Sequence, residues 1–413
     1  MSFYSVLGGY CIEYMALNLS NLAFAGAEVT AGANLFSAML TNPFGSVMFT
    51  LLFLIICYLI NRGGISGGIE KFNNVGMPAL FVMLVIIILR SLTLDGAMEG
   101  LKFMFVPGYA VSAGFIEKAP SFLTVLSTAG GQMFFSLSLA MGVMFTYGSY
   151  LNKKEDLVKN SAVIVVADTL VAIMAGVAVI PAAVANGIAS GVAVGDIALG
   201  GPSLLFITLQ DVFNAMGRVG PLFGVIFYLL VLIAAISSAI SLIEVVATFF
   251  LDRSALHQKQ SSRKKVVLII CLAIMAEAAL VAVDGLGSNG IPVPFQESAA
   301  RVLLADGQTL VPFKEATEAM IASGTVKYAA WNDCWLDFMD MLSEGIAMPL
   351  GALLMSLMVG WEIRPKLVLE EVRLGSRRID RFYTICIRFI TPVGMLLVLL
   401  GQVNDFFGLG LFV

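Results

Sequence analysis

Charged residues are scarce in this sequence, where Asp, Glu, Lys and Arg make up only 13% of the 413 residues. A soluble globular chain carries about 25%, because its water-facing surface must be polar. Apolar residues make up 59% of this chain, so most of its surface must face lipid. The scarcity of charge therefore predicts a membrane protein and excludes an ordinary soluble domain.

Histidine and cysteine are too few or too scattered for several kinds of active site. The single histidine, His257, lies in a polar, basic loop, which excludes a His-based enzyme and a multi-His metal site. The five cysteines lack metal or disulfide-framework spacing, and most are expected to pack as small residues in apolar runs. A nucleic-acid partner and a cleavable signal peptide are not expected, since basic patches outside the loops and a basic segment after Met1 are both missing.

Nine hydrophobic segments are long enough for transmembrane helices, which need about 20 mostly apolar residues each. They cover residues 2–23, 44–61, 76–95, 120–149, 159–186, 220–251, 265–284, 334–360 and 380–403. The segment 120–149 is interrupted, and the shorter segment 28–40 is expected to be an interfacial or re-entrant helix. The longest connection, 285–333, is expected to form a structured cap and not a separate domain.

Lysine and arginine are distributed unevenly between the loops on the two sides of the membrane. If the first segment runs outward, the inner loops hold sixteen of these residues and the outer loops six. Basic residues concentrate in cytoplasmic loops of membrane proteins. The imbalance therefore supports nine spans with the C-terminus outside.

The interrupted segment contains an unusual polar stretch. Residues 130–142 read GGQMFFSLSLAMG, so glycines and hydroxyls cluster where a lipid-facing helix would carry Leu or Val. A helix broken at mid-membrane exposes N–H and C=O groups that can hold a carboxylate and a cation. The same small residues could instead allow close helix packing. A binding site around 135–138 and a packing role both remain open at this point.

Asp168 lies well inside the segment 159–186, where an unpaired carboxylate is energetically costly. Few basic residues lie at that depth, so a cation site is favoured over an ion pair. Ser237 and Ser238 add adjacent hydroxyls, and oxygen ligands suit a hard cation such as Na⁺, although hydrogen bonding within the helix explains these serines better when they are taken alone. Three glutamates also fall within or near spans: Glu13, Glu244 and Glu277. Glu244 is expected to snorkel or to form an ion pair, and the other two have no predicted role.

Several groups of residues, in this order along the chain, resemble motifs of the neurotransmitter:sodium symporter family, in its bacterial amino-acid-transporting branch. They are Gly67-Gly68-Ile69-Glu70-Lys71 with Met77-Pro78; Arg90-Ser91-Leu92-Thr93-Leu94; Gln132-Met133-Phe134-Phe135-Ser136-Leu137-Ser138; Tyr147-Gly148-Ser149-Tyr150; Asp168-Thr169-Leu170 with Ala175-Gly176; Ser237-Ser238; and Pro349-Leu350-Gly351-Ala352 with Gly360-Trp361. Several motifs in one order are far more specific than any single motif, and the match covers essentially the whole chain.

The resemblance implies an all-α polytopic membrane protein with a LeuT-like fold of two inverted five-helix repeats, in one transporter domain covering 1–413. Residues 1–118 would be the remainder of the first repeat, 119–362 the second repeat and 363–413 an extra C-terminal helix. Family members begin with two helices that have no counterpart here, and the first of these pairs with the helix broken near 135–138. The chain is therefore expected to be N-terminally truncated, with about nine transmembrane helices. A late start codon or a truncated gene is the favoured explanation, and a genuine short form is the alternative.

Carried over residue by residue, the resemblance also implies roles for individual side chains. Substrate contacts are expected from Tyr4, Phe135, Ser136, Ser138, Met141, Ser238 and Leu242. One sodium site is expected from Ser136 with Asp168, and a second from the Ala234 carbonyl with Ser237 and Ser238. Tyr4 and Asp340 are expected at the outer gate, and Gly68 with Pro78 in unwinding of the fifth family helix.

The implied function is sodium-coupled symport of an amino acid, with Na⁺ as the co-transported ion, in a bacterial inner membrane. Animal members balance sodium charge with external chloride, whereas Asp168 would supply fixed negative charge here, so chloride-independent transport is expected. The adaptable side chain of Met141 favours a large apolar or aromatic substrate. Two alternatives stay open, a transport-inactive remnant and a non-transporting membrane partner. The expected partners are the substrate and the lipid bilayer, with a homodimer as a further open question.

Overall fold

The structure is a computed structural model that describes most of the chain. The described residues are 1–23, 31–152, 154–197, 199–258, 261–294, 300–304, 310–312, 317–323, 325–328, 334–363, 365–372, 376–407 and 409. Parts of the expected re-entrant segment and of the long outer connection lie outside these residues. So do five of the basic residues counted above: Lys153, Lys259, Lys314, Arg364 and Arg373.

Helices dominate the described residues. In chain order they are α1 (Ser2–Ala23), α2 (Gly32–Leu40), α3 (Pro43–Asn61), α4 (Glu70–Leu92), α5 (Ala97–Phe105), α6 (Tyr109–Ser112), α7 (Phe122–Ser136), α8 (Val143–Tyr150), α9 (Leu157–Ala189), α10 (Gly201–Ser203), α11 (Leu209–Ala215), α12 (Gly220–Leu256), α13 (Arg263–Asp284), α14 (Glu318–Ser323), α15 (Trp335–Asp340), α16 (Met348–Leu357), α17 (Pro365–Val372), α18 (Arg377–Ile385) and α19 (Thr391–Phe407). The strands β1 (Ala300–Leu303), β2 (Leu310–Pro312) and β3 (Thr325–Tyr328) form an antiparallel sheet in the order β2-β1-β3. The all-α class is confirmed for the membrane-spanning part, and the small sheet lies within the connection 285–333, in keeping with a structured cap.

Seven helical stretches among the described residues are long and apolar enough to cross a membrane, judged by length and composition. They are Pro43–Asn61, Ile65–Leu92, Leu157–Ala189, Gly217–Leu256, Arg263–Asp284, Trp335–Glu362 and Arg377–Asn404. Each overlaps a predicted span, and the two remaining predicted spans correspond to α1 and to the interrupted pair α7 and α8. The chain is therefore a multi-pass membrane protein, and the total of nine spans stays a prediction.

The second of these stretches begins earlier than the predicted span 76–95. Residues Ile65–Ile69 form a wide π-helical turn that leads directly into α4. Its consecutive glycines suggest a loop in the sequence, but a side chain at Gly68 would collide with the carbonyl oxygen of Ile60. Glycine is needed there because two backbone segments approach closely. Pro78 lies inside α4, and its role with Gly68 in unwinding stays a prediction.

The chain folds into two compact units, each assembled from separate stretches. Unit 1 comprises Met1–Ala119 and Ile173–Phe338, and unit 2 comprises Pro120–Ala172 and Met339–Val413. The predicted division into repeats at 118 and 362 concerns internal symmetry, whereas these units reflect packing. The repeat division therefore stays a prediction.

An aromatic cluster forms the core of unit 1, where α1 packs against α3 and α12. The ring centroid of Phe206 lies 5.0 Å from that of Tyr14 and 5.6 Å from that of Phe36. The ring of Tyr228 on α12 lies 5.2 Å from that of Tyr14 on α1. All four rings are buried, and aromatic side chains bury large apolar areas. The cluster therefore fixes α1 and α12, two helices that carry predicted site residues.

The core of unit 2 is formed by side chains from α7, α16 and α19. Phe134, Met348 and Val398 are buried there in one hydrophobic cluster. Phe135 and Met141, both predicted to contact substrate, are half-buried and pack against this cluster. The predicted binding stretch is therefore anchored on one side by apolar packing.

Candidate functional site

The predicted broken helix is present in unit 2, where the non-helical stretch 137–142 separates α7 from α8. The N–H of Leu139 donates to the carbonyl of Phe134 at 2.9 Å. The N–H of Ser138 donates to the carbonyl of Phe135 at 3.1 Å. Two bonds in this pattern form a Schellman motif, which ends a helix at a left-handed residue. The predicted interruption of this helix is thus confirmed.

Three residues in this stretch have positive φ angles, which are 52° at Ser138, 60° at Ala140 and 80° at Gly142. A left-handed conformation costs a residue with a Cβ atom about 1–2 kcal/mol, whereas glycine adopts it freely. Strain of this kind concentrates at functional sites, where the surrounding structure holds it in place. The stretch 137–142 is therefore the strongest backbone candidate for a binding segment.

Replacing Ser138 by glycine is expected to raise the free energy of unfolding by about 1 kcal/mol, because glycine is the preferred residue at this position of the motif. Ser138→Val should lower it by at least about 1 kcal/mol, since β-branched residues tolerate positive φ poorly. Thermal unfolding in detergent, followed with a thiol-reactive dye, measures both effects because four of the five cysteines are buried. Ser149→Gly, an exposed position within the right-handed helix α8, should shift the midpoint downward. Equal shifts of the unfolding midpoint in Ser138→Gly and Ser149→Gly would show that the backbone at Ser138 is not strained.

A hydrogen-bonded pair joins the end of α7 to α9. The Ser136 hydroxyl oxygen lies 2.8 Å from each carboxylate oxygen of Asp168. Both side chains are half-buried. Among the described residues Asp168 forms no ion pair, so its negative charge is not neutralised by a neighbouring Lys or Arg side chain. The pair predicted for the first sodium site is therefore brought together, with a charge available to a cation.

An open, largely apolar cavity of about 570 Å³ borders the break, between α8 and the first turns of α9. Leu137 and Leu139 from the break line it together with Tyr147 from α8. Asn160 and Ser161 on α9 contribute polar groups to its wall. Cavities of about 300–1,000 Å³ accommodate small molecules. The break therefore adjoins space on the scale of a metabolite, although this lining differs from the predicted substrate set.

Two predicted site residues from different helices are brought together in unit 1. The side chains of Tyr4 in α1 and Ser238 in α12 are hydrogen-bonded to each other. The Ser237 hydroxyl donates to the Ala234 carbonyl at 2.8 Å, a bond that a serine with a purely structural role would also form. It holds the two oxygens predicted as sodium ligands side by side. Leu242, one turn beyond Ser238, is half-buried.

Asp340, the predicted gate carboxylate in unit 2, has a partner that sequence reasoning missed. It ends α15, and its side chain is hydrogen-bonded to that of Glu344, with both residues half-buried. Two carboxyl groups bond in this way only when one of them carries a proton. The available signal was their spacing of four residues, which places both on one helical face.

Glu244 forms an ion pair, which decides between the two alternatives predicted for it. Its side chain is fully buried and bonds to the guanidinium of Arg263 at the start of α13. The Nε atom of Arg263 also donates to the carbonyl of Asn61, the last residue of α3, at 3.1 Å. Three helices are therefore tied together at one end of unit 1. The structure gives no role to Glu13 or Glu277.

Comparisons with known proteins agree with the motifs along the chain. The model of the sodium:neurotransmitter symporter family matches residues 35–303. An uncharacterised sodium-dependent transporter of Bacillus subtilis, YhdH, is 29% identical over 98% of this chain and 77% of its own length. An uncharacterised sodium-dependent transporter of Haemophilus influenzae is 35% identical over 60% of this chain. That alignment spans about half of the relative, 51% of its length.

A solved structure has the same fold. The crystal structure of MhsT in complex with L-phenylalanine superposes with a TM-score of 0.72 at 28% sequence identity. The superposition covers 97% of this chain and 78% of the MhsT chain. The similarity therefore extends over nearly the whole chain.

Proposed function

Because the chain belongs to the sodium:neurotransmitter symporter family, whose members are sodium-coupled transporters and not enzymes, we propose that it carries an amino acid across the membrane together with Na⁺. The observation that carries this proposal is the Ser136–Asp168 pair beside the broken helix. It combines a carboxylate that forms no ion pair with any described residue, a hydroxyl oxygen and strained backbone within one region of unit 2.

The pair suits Na⁺, and the broken stretch suits the amino acid. The Asp168 carboxylate and the Ser136 hydroxyl provide oxygen ligands and a negative charge for Na⁺. The stretch 137–142 interrupts a helix, and interrupted helices present backbone N–H groups to a substrate carboxylate. Phe135 and Met141 pack beside it and would contact the apolar part of the substrate. Sodium and amino acid would then bind next to each other and stabilise each other's binding.

The predicted second sodium set lies in unit 1, at the middle of α12. The Ala234 carbonyl and the Ser237 hydroxyl are adjacent there, and Ser238 bonds to Tyr4. We assign Na⁺ to these oxygens because hydroxyl and carbonyl groups suit a hard cation. Tyr4 and Asp340 are proposed as outer-gate residues, and Leu242 as a substrate contact.

The substrate is proposed to be a large apolar or aromatic amino acid. The side chain of Met141 is unbranched and adapts to bulky partners, and the related MhsT has been crystallised with L-phenylalanine. Transport is proposed to need no chloride, since Asp168 supplies the negative charge itself. The bacterial inner membrane is the proposed location, and a homodimer stays a prediction.

Sodium-driven uptake by the chain 1–413 is the direct test of this proposal. Proteoliposomes containing the purified chain should accumulate radiolabelled L-phenylalanine several-fold above background under an inward Na⁺ gradient. A K⁺ gradient of the same size should give only background, because the driving force is sodium-specific. Scintillation proximity binding measured in parallel separates substrate binding from transport. If no amino acid tested shows Na⁺-dependent binding or uptake, the proposal is overturned in favour of a non-transporting membrane protein.

A further inference from the structure

The last long helical stretch is longer than a membrane requires. Arg377–Asn404 contains 28 residues, which extend over about 42 Å at about 1.5 Å per residue. The hydrocarbon core of a bilayer is about 30 Å thick, so roughly 12 Å of the stretch lies at headgroup level. The charged end of the stretch is α18, whose sequence is RRIDRFYTI. The excess length therefore falls on α18.

Three arginines form one patch on α18. Arg377, Arg378 and Arg381 are all exposed, and a spacing of about 100° per residue places them within one arc of about 100° on the helix. Asp380 lies about 60° from Arg377 around the helix, just outside one edge of this arc. In the part of the chain that the structure describes, none of the three arginines forms an ion pair. The patch therefore presents three guanidinium groups beside a single carboxylate, and its net charge is positive.

Apolar side chains border the same patch. Phe382 is 64% exposed and Ile385 is 46% exposed, and both lie within about 100° of the centre of the arginine arc. An aromatic or aliphatic side chain at headgroup level can insert its apolar surface toward the acyl chains. Guanidinium groups bind phosphate through paired N–H donors. The surface thus combines phosphate donors with groups that contact hydrocarbon.

We propose that the arginine patch of α18 binds the headgroup of an anionic phospholipid. Charge complementarity requires an anion, and the exposed Phe382 and Ile385 side chains favour an anion that is attached to acyl chains. The predicted orientation places α18 on the cytoplasmic side, where anionic lipids are enriched. This binding surface is independent of the transport site, because it uses other residues of unit 2.

Lipid retention by the detergent-solubilised full chain tests the proposal. The chain is incubated with equal amounts of phosphatidylglycerol and phosphatidylcholine, and bound lipids are counted by native mass spectrometry. The test variant is Arg377→Gln/Arg378→Gln/Arg381→Gln. The matched control is Arg253→Gln/Lys264→Gln/Lys265→Gln, which removes three exposed charges elsewhere on the same predicted side. A third variant, Arg377→Lys/Arg378→Lys/Arg381→Lys, keeps the charge and reports on correct folding.

The unaltered chain should retain phosphatidylglycerol over phosphatidylcholine by about tenfold or more, since each cation near a membrane surface contributes to anionic-lipid affinity. The glutamine variant of α18 should lose most of that preference, and the control should keep it. The lysine variant should keep only part of it, because lysine retains the charge but lacks the paired N–H donors. Equal retention of the two lipids by the unaltered chain would overturn the proposal. So would equal loss in the α18 variant and the control. If inorganic phosphate displaces the lipid at equal concentration, the patch is a site for free anions, and the lipid proposal is overturned as well.

Discussion

Replacing Asp168 by asparagine is expected to lower sodium-driven uptake about a hundredfold or more. Asparagine has nearly the same shape and can still accept the Ser136 hydrogen bond through its amide oxygen, so the variant removes mainly the charge. A carboxylate about 4 Å from a cation gains about 4 kcal/mol at an effective dielectric constant of about 20. Losing even most of that attraction weakens sodium binding by roughly two factors of ten.

The measurement is initial uptake into proteoliposomes as a function of the Na⁺ concentration, together with Na⁺-dependent substrate binding. Asp168→Asn should shift the half-saturating Na⁺ concentration upward, beyond the accessible range. Ser136→Ala keeps the charge and removes one hydroxyl ligand, so its effect should be about tenfold. Normal sodium dependence in Asp168→Asn would show that the carboxylate is not a sodium ligand.

The chloride dependence of uptake shows whether the Asp168 carboxylate or a bound chloride ion balances the sodium charge. With gluconate in place of chloride, the unaltered chain should transport at an unchanged rate, because Asp168 provides the compensating charge. In Asp168→Asn the site lacks that charge, and added chloride should restore part of the uptake. A steep rise of uptake with chloride in the unaltered chain would contradict the proposed role of Asp168.

Removing one partner of the Glu244–Arg263 pair is expected to lower the free energy of unfolding by about 3–5 kcal/mol, because an uncompensated charge is left in a buried site. The Glu244 side chain is 0% exposed and that of Arg263 is 26% exposed. Arg263 would also lose the partner that orients it toward the Asn61 carbonyl, so α3, α12 and α13 would lose a shared attachment. Thermal unfolding of Glu244→Gln and Arg263→Gln in detergent measures the loss.

The double variant Glu244→Gln/Arg263→Gln should lose less than the sum of the two single variants, because neither charge is then left alone. The surface pair Lys102–Glu99 provides the matched control, with side chains 43% and 36% exposed. Lys102→Gln should cost only about 0–1 kcal/mol, as exposed ion pairs contribute little. Additive effects of the two single variants, or equal effects at both pairs, would show that Glu244 and Arg263 do not stabilise each other.

The helix break could be predicted from the local sequence, but its exact position could not. The cluster of glycines and hydroxyls in 130–142 predicts an interruption, and the structure has one. The sequence centres it on 135–138, whereas the non-helical residues are 137–142. The difference arises because the helix ends where Ser138 adopts a left-handed conformation. Serine has no strong preference for that conformation, so packing around the break selects the position.

The partners of buried charges could not be predicted in the same way. The sequence indicates that Glu244 must pair or snorkel, but Arg263 and the Asn61 carbonyl reach it only because three helix ends converge. The contact between Glu344 and Asp340 was available from their spacing, since it depends on one helix alone. The family resemblance implies a substrate contact for both Tyr4 and Ser238, but the bond between them could not be derived from either residue by itself.

The sequence by itself determined that this protein spans a membrane, which segments form its long apolar helices and which family motifs it carries. These properties depend on local composition, because a bilayer requires each spanning segment to satisfy its own backbone and to be apolar. Tertiary structure decided which oxygens lie together, as in Ser136 with Asp168, and which charge neutralises Glu244. Those contacts join helices that are far apart in the chain, and side-chain packing between helices sets them.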